Sequence, residues 1–202
     1  MLAFHVLINE TEYLAVVSTF FGIAVIAALS RTVIRLYKFR RIYVDDVFLF
    51  LAVTALISSV GLFYASIPGL FMLEHFVLGK VLPPFNLFQI AVDTATYAIT
   101  ALIMAWTTIF AVKFSFLFYF RTLLKRTHKL RNWWWCVFVF CVPVAFTNIF
   151  GTFTVCPHVG MALSHCVLAP AFLHRERGIL YYSVVSDIIT DIMLISIPVC
   201  IL

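Results

Sequence analysis

Two aspartates, Asp187 and Asp191, stand one helical turn apart inside the apolar stretch YYSVVSDIITDIMLISIP at 181–198. A lysine, Lys113, interrupts another apolar stretch at 94–120. Ionised groups are costly where water is scarce, so they turn toward a bundle interior, a water-filled path or one another. Two carboxylates at i and i+4 on a helix repel, which calls for a counter-charge or for hydrogen bonds between helices. Ser183, Ser186, Asp187, Thr190 and Asp191 share one face of their helix. In the stretch with Lys113, a second stripe of Asp93, Thr96, Tyr97, Thr100, Thr107 and Ser115 falls within an arc of about 120°, and Lys113 lies nearly opposite. Lys113 therefore faces a different helix from that stripe or lifts its ammonium to the inner interface. Lys113 and Asp191 stand at similar depths, which motivates an ion pair, with Asp46 and lipid headgroups as rival partners for the lysine. The expected polar network inside the membrane is Asp93, Lys113, Ser115, Asp187 and Asp191.

Asp45 and Asp46 follow a basic run and open an apolar stretch. Carboxylates there accept bonds from the free N–H groups of a helix start and match its dipole. The functional alternative is a cytoplasmic lock of Asp45 and Asp46 with Tyr119 and Arg121. Cys156 and Cys166 lie in the loop TVCPHVGMALSHCV, on the external side, where oxidising conditions favour a disulfide. A metal site with His158 and His165 and a pair of free thiols are the alternatives, and the spacing follows no zinc pattern. No nucleophile–base pattern, metal spacing or cofactor motif stands out, so the expectation is a non-enzyme without cofactor or metal.

The elements that position these residues follow from composition. Of 202 residues, 64% are hydrophobic and 11% charged, against about 25% charged in soluble domains. A helix needs roughly 20 apolar residues to cross the hydrocarbon. Five stretches qualify, at 13–30, 47–67, 94–120, 133–155 and 179–202. None alternates as barrel strands do. The expected fold is an all-α, polytopic transmembrane bundle forming one domain over 1–202. Segment 68–90, broken by Glu74, His75, Lys80, Pro83 and Pro84, reads as a loop with a short interfacial helix. Trp133, Trp134 and Trp135 read as an interfacial belt, and Pro143 and Pro198 as kinks.

Ten Lys and Arg fall within 31–41 and 121–131, against three in the other two loops. By the positive-inside rule the first two segments are cytoplasmic and the N-terminus, with Glu10 and Glu12, is outside. The basic residues flank spans and do not gather on a soluble face, so the net charge of +5 points to the bilayer rather than to nucleic acid. The chain stops at Leu202 within an apolar run, which is the pattern of a truncated chain or a fragment of a longer bundle.

Four motifs carry a resemblance. VIRLYKFRRIYVDDVFLFLA at 33–52, VKFSFLFYFR at 112–121, FTVCPHVGMALSHC at 153–166 and DIITDIMLISIP at 187–198 resemble, in the same order, segments of the fungal rhodopsin-domain integral membrane proteins. Lys113, Ser115, Tyr119 and Arg121 match that family's pattern at the inner end of the third helix, and Asp191 and Pro198 match in the fifth. The resemblance spans residues 13–202 and implies seven helices, of which five are present. Asp187 stands where the family has Asn, the tryptophan usual between the two cysteines is missing, and PGLFMLEH around His75 stands at the family's glycine-rich stretch. Some members resemble receptors with which plant-pathogenic fungi sense host surfaces; the name implies topology and not retinal.

The reading favoured at this level is a receptor-like sensor in the plasma membrane. It would answer an extracellular ligand and act on a cytoplasmic signalling protein through the basic loops. An ion- or proton-coupled transporter using Asp93, Asp187 and Asp191 is the alternative, and a truncated nonfunctional remnant is another.

Overall fold

A computed structural model describes residues 10–39, 44–77, 79, 87–124, 128–155 and 172–199, and those residues are helical apart from the turn at Gly79 and a single 3-10 residue at Leu124. The helices are α1 (Glu10–Phe39), α2 (Val44–Val77), α3 (Leu87–Leu123), α4 (His128–Val155) and α5 (Phe172–Val199). Four of them contain stretches long and apolar enough to cross a bilayer: Asp45–Leu73, Leu87–Arg121, Arg131–Gly151 and Arg177–Val199. The chain is thus a multi-pass membrane protein. The apolar part of α1 is the shorter stretch Leu14–Ser30, at the lower limit of what a bilayer requires.

The chain divides into two compact units, residues 1–42 with α1 and residues 43–202 with α2 to α5. In α1, Phe20 and Ile26 are exposed, and Ser18 and Thr19 return their hydroxyls to the carbonyls of Leu14 and Ala15. A hydroxyl bonded to its own helix can face lipid without an orphan donor.

The second unit buries large apolar groups, Phe110, Leu117, Trp134, Val137 and Ile197 among them, together with many polar and small residues. Its interior holds Ser59, Ser66, Thr94, Ser115, Asn148, Ser183, Ser186 and Thr190 beside Ala52, Ala55, Ala101 and Ala111. Its surface shows Phe50, Val139, Phe146, Ile188 and Ile192. Hydrocarbon solvates large aliphatic groups as well as a protein core does. Small residues and interhelical hydrogen bonds are therefore what hold such helices together.

Helix α3 is the hub, packing against α2, α4 and α5, and its longest seam is with α2. The register of that antiparallel seam is fixed at three points. Ser115 Oγ donates to the Asp45 carbonyl and Ser59 Oγ donates to the Ala101 carbonyl, both at 2.9 Å. At the far end a Cβ on Gly69 would collide with Thr94 Oγ1, so only glycine lets the two backbones approach there. Aromatic rings tie α4 on: Phe48 stacks on Phe118 at 5.2 Å, and Phe138 meets Phe118 edge-on at 6.0 Å. Between α4 and α5, Trp133 Nε1 donates to Ser196 Oγ at 2.9 Å and Thr147 Oγ1 lies 2.9 Å from the Tyr182 hydroxyl.

Of the segment 68–90 expected as a loop, 68–77 and 87–90 are helical. Helix α2 runs through Pro68 to Val77, and α3 begins at Leu87. Proline removes one helical hydrogen bond, which transmembrane helices tolerate, and the apolar residues on either side keep that turn in the bilayer. The helix stops where Gly79 takes φ +69° and its N–H bonds to the Phe76 carbonyl at 2.9 Å, a left-handed glycine closing a C-terminus. Pro143 and Pro198 likewise lie inside α4 and α5.

Candidate functional site: a lysine and two aspartates between two spans

Lys113 is carried on α3 eight residues before Arg121, which is about 12 Å along the helix. Asp191 is carried on α5 eight residues before Val199, so it lies at the same depth from the end of its span. Asp187 sits a turn deeper, near the midpoint of Arg177–Val199. Helices α3 and α5 run parallel, which is why equal offsets from their ends bring these side chains together.

The Lys113 ammonium is buried and reaches across to α5. It donates to Asp187 Oδ1 at 2.7 Å, to Thr190 Oγ1 at 2.8 Å and to the Asp187 carbonyl at 3.0 Å. Those three bonds use the three hydrogens that an ammonium has. Asp191 Oδ1 stands 2.8 Å from the same nitrogen, held by charge and without a hydrogen bond among the described residues. Thr190 passes its own hydroxyl hydrogen to the Asp187 carbonyl at 2.8 Å, which leaves a lone pair for the lysine. The Phe110 ring, 5.5 Å from the nitrogen, closes one side with its electron-rich face.

The two carboxylates are not equivalent. The Asp187 side chain is 27% exposed and that of Asp191 51% exposed, whereas Lys113 is 8% exposed. One ammonium therefore faces two carboxylates, the second of them open on the outer side of α5. Beside the cluster, Asn148 on α4 is buried, and its Nδ2 donates to Ser186 Oγ at 3.2 Å. Ser186 in turn donates to the Ser183 carbonyl at 3.0 Å. Among the described residues the Asn148 Oδ1 atom is buried without a hydrogen-bond donor. An amide oxygen in that position holds a site for one more donor.

Of the five residues expected to form one polar network, three meet. Ser115 instead serves the α2 seam through Asp45, and Asp93 is exposed at the other end of α3, accepting from Gln89 at 3.2 Å. The stripe on α3 looks toward α2 at Ser115 while Lys113, on the opposite face, looks toward α5. The choice left open for the lysine is decided in favour of a neighbouring helix over the interface.

Of the four residues of the expected cytoplasmic lock, Arg121 packs on tryptophan rings. Asp45 and Asp46 lie in the first turn of α2, and the backbone of Asp45 receives Ser115. Arg121 does not reach Asp46: its guanidinium lies 5.1 Å from the Trp134 ring centre and 5.8 Å from that of Trp135. Tyr119 is exposed and its ring packs against Phe120 at 5.8 Å. The tryptophan belt also needs correction. Trp133 and Trp135 are exposed, but Trp134 is 1% exposed and donates Nε1 to the Leu117 carbonyl at 2.7 Å. Three consecutive residues cover 200° of a helix, so one of the three necessarily turns toward α3. Cys156 and Cys166, with their proposed disulfide, lie outside the described residues; Cys136 and Cys141 are free thiols in α4. No group of three or more His, Cys, Asp and Glu able to hold a metal occurs among the described residues.

Thr190 was visible as a member of the α5 stripe, but its role as a third acceptor was not. Asn148 joins the site through Ser186, and an asparagine within a span is itself a sequence signal of interhelical bonding. No family model, curated protein or solved structure matches this chain.

Proposed function

We propose that this membrane protein is a receptor-like sensor in which the bond between Lys113 and α5 is the contact that an external signal makes or breaks. The observation that carries the reading is that one buried ammonium spends all three hydrogens on α5 while a second carboxylate, Asp191, waits at 2.8 Å. Such a cluster has two arrangements of similar chemistry, with the lysine hydrogen-bonded to the Asp187 turn or moved onto Asp191. Leaving the Asp187 turn altogether for Asp191, one turn along α5, would slide α3 against α5 by a fraction of a turn, the kind of small shift that bundles amplify. The extracellular loops would bind the ligand, the basic segments at 31–41 and 121–131 would meet a cytoplasmic signalling protein, and the plasma membrane would house the chain with its N-terminus outside. The resemblance to the fungal rhodopsin-domain proteins supports the same reading.

The half-exposed Asp191 carboxylate favours a second reading, a proton- or cation-coupled transporter. Both are tested in liposomes. Spin labels at Tyr119 and Ile195 report the α3–α5 distance, and an entrapped pH dye reports flux. The sensor reading expects two distance populations whose ratio changes in Lys113→Met, with no proton flux. One unchanging distance together with flux abolished by Asp187→Asn would replace it with the transporter.

A further inference from the structure

We infer that the outward face of α5 around Asp191 is a docking surface for a second transmembrane segment that carries a lysine or arginine at mid-depth. The inference rests on charge and exposure at this face and is independent of any signalling role. Asp191 lies about 12 Å in from the Val199 end of its span, and an aspartate side chain is too short to carry its charge to the interface. Its side chain is 51% exposed and has an ion contact with Lys113 but no hydrogen bond among the described residues. Lys113 is shared with Asp187 and Thr190, so one ammonium stands against two carboxylates.

The face itself is built as a seam. Val184, Ile188, Asp191 and Ile195 follow one another at spacings of four, three and four residues, the repeat that keeps one stripe turned to a partner helix. Val184, Ile188 and Ile195 are 49%, 53% and 60% exposed. A β-branched seam with one carboxylate in the middle fits a helix with an aliphatic stripe and one basic group. None of the described spans offers that cation. Apart from the residues that end those spans, Lys113 is the one Lys or Arg in the four of them, and Leu14–Ser30 of α1 has none. A second copy is excluded on the same ground, since docking it here would set Asp191 against Asp191.

The test uses the full chain, tagged with a fluorophore at its N-terminus, in phosphatidylcholine liposomes. The probes are labelled polyleucine helices with a central lysine, leucine or glutamate. Energy transfer should show the lysine helix associating about tenfold more tightly than the leucine helix, the scale of one interhelical polar contact, and the glutamate helix no better than leucine. Asp191→Asn should erase the preference and Asp191→Glu should keep it. Ile188→Trp, which obstructs the seam without touching Lys113, should weaken the lysine helix as well, with unchanged helical circular dichroism showing that the fold survives. Equal association of the three probes would overturn the inference. So would a lysine preference that persists in Asp191→Asn, or transfer between tagged copies that depends on Asp191.

Discussion

Lys113→Met is the perturbation with the largest calculable consequence. Methionine keeps most of the side-chain volume and removes the ammonium, leaving Asp187 and Asp191 facing one another. The two carboxylate oxygens are 2.7 and 2.8 Å from the lysine nitrogen, so the gap between them is at most about 5.5 Å, and two unit charges there repel by about 3 kcal/mol at an effective dielectric of about 20. The Asp191 share is discounted because that side chain is half exposed. Thr190 loses a donor at the same time, and stranding the partners of a buried ion pair typically costs about 3–5 kcal/mol. The expected cost of Lys113→Met is in that range. Asp187→Asn should cost less, about 1–3 kcal/mol, because Thr190 and the Asp187 carbonyl still receive the lysine. Asp191→Asn should stay within about 1 kcal/mol. Replacing the whole cluster, Lys113→Met with Asp187→Leu and Asp191→Leu, should recover most of the loss, since apolar isosteres of a buried ion cluster are often neutral. The assay is reversible unfolding in mixed micelles on adding dodecyl sulfate, followed by helical circular dichroism. Equal midpoints for Lys113→Met and Asp191→Asn, or no recovery in the triple variant, would refute the argument.

Gly69→Ala should destabilise the α2–α3 seam by about 1–3 kcal/mol, because the new Cβ meets Thr94; the same titration reads it, and Thr94→Ala should restore part of the loss. Trp134→Phe removes the indole bond to the Leu117 carbonyl and exchanges one of the two indoles under Arg121 for a smaller, weaker ring, for an expected loss of about 1–2 kcal/mol, whereas Trp135→Phe, at an exposed position, should cost less than half of that. Peptide mapping after brief maleimide treatment in mild detergent should find Cys136 modified well before Cys141, because the first is exposed and the second buried. Protease added outside sealed vesicles of known orientation should spare the segment around Lys125 if the positive-inside assignment holds, and cleavage there would reverse it.

Much of the architecture could be read from the residues because lipid imposes a simple rule. A backbone in hydrocarbon must satisfy itself, so runs such as 94–120 and 133–155 could be little other than helices. The boundary at 68–90 was misread because charged and proline residues weaken a hydropathy signal without ending a helix. What ends α2 is one left-handed glycine, Gly79, together with its bond to Phe76. The reading of three tryptophans as a belt failed for a related reason: composition locates the interface, but only packing on α3 decides which ring is drawn inside.

By itself the sequence determined that this chain lives in a bilayer, that its spans are helical, and that Asp187, Asp191 and Lys113 lie where charge is expensive. Those conclusions follow from residue type, spacing and depth, which are one-dimensional. The tertiary structure alone decided that Lys113 turns to α5 and Ser115 to α2, that Asp187 takes the hydrogen bonds and Asp191 only the charge, and that Arg121 rests on tryptophan instead of aspartate. Partner choice depends on how helices are rotated and offset against one another. On the α2–α3 seam, for example, the offset that gives Ser115 to Asp45 is held by Gly69 against Thr94 and Ser59 against Ala101, far along the chain from that pair.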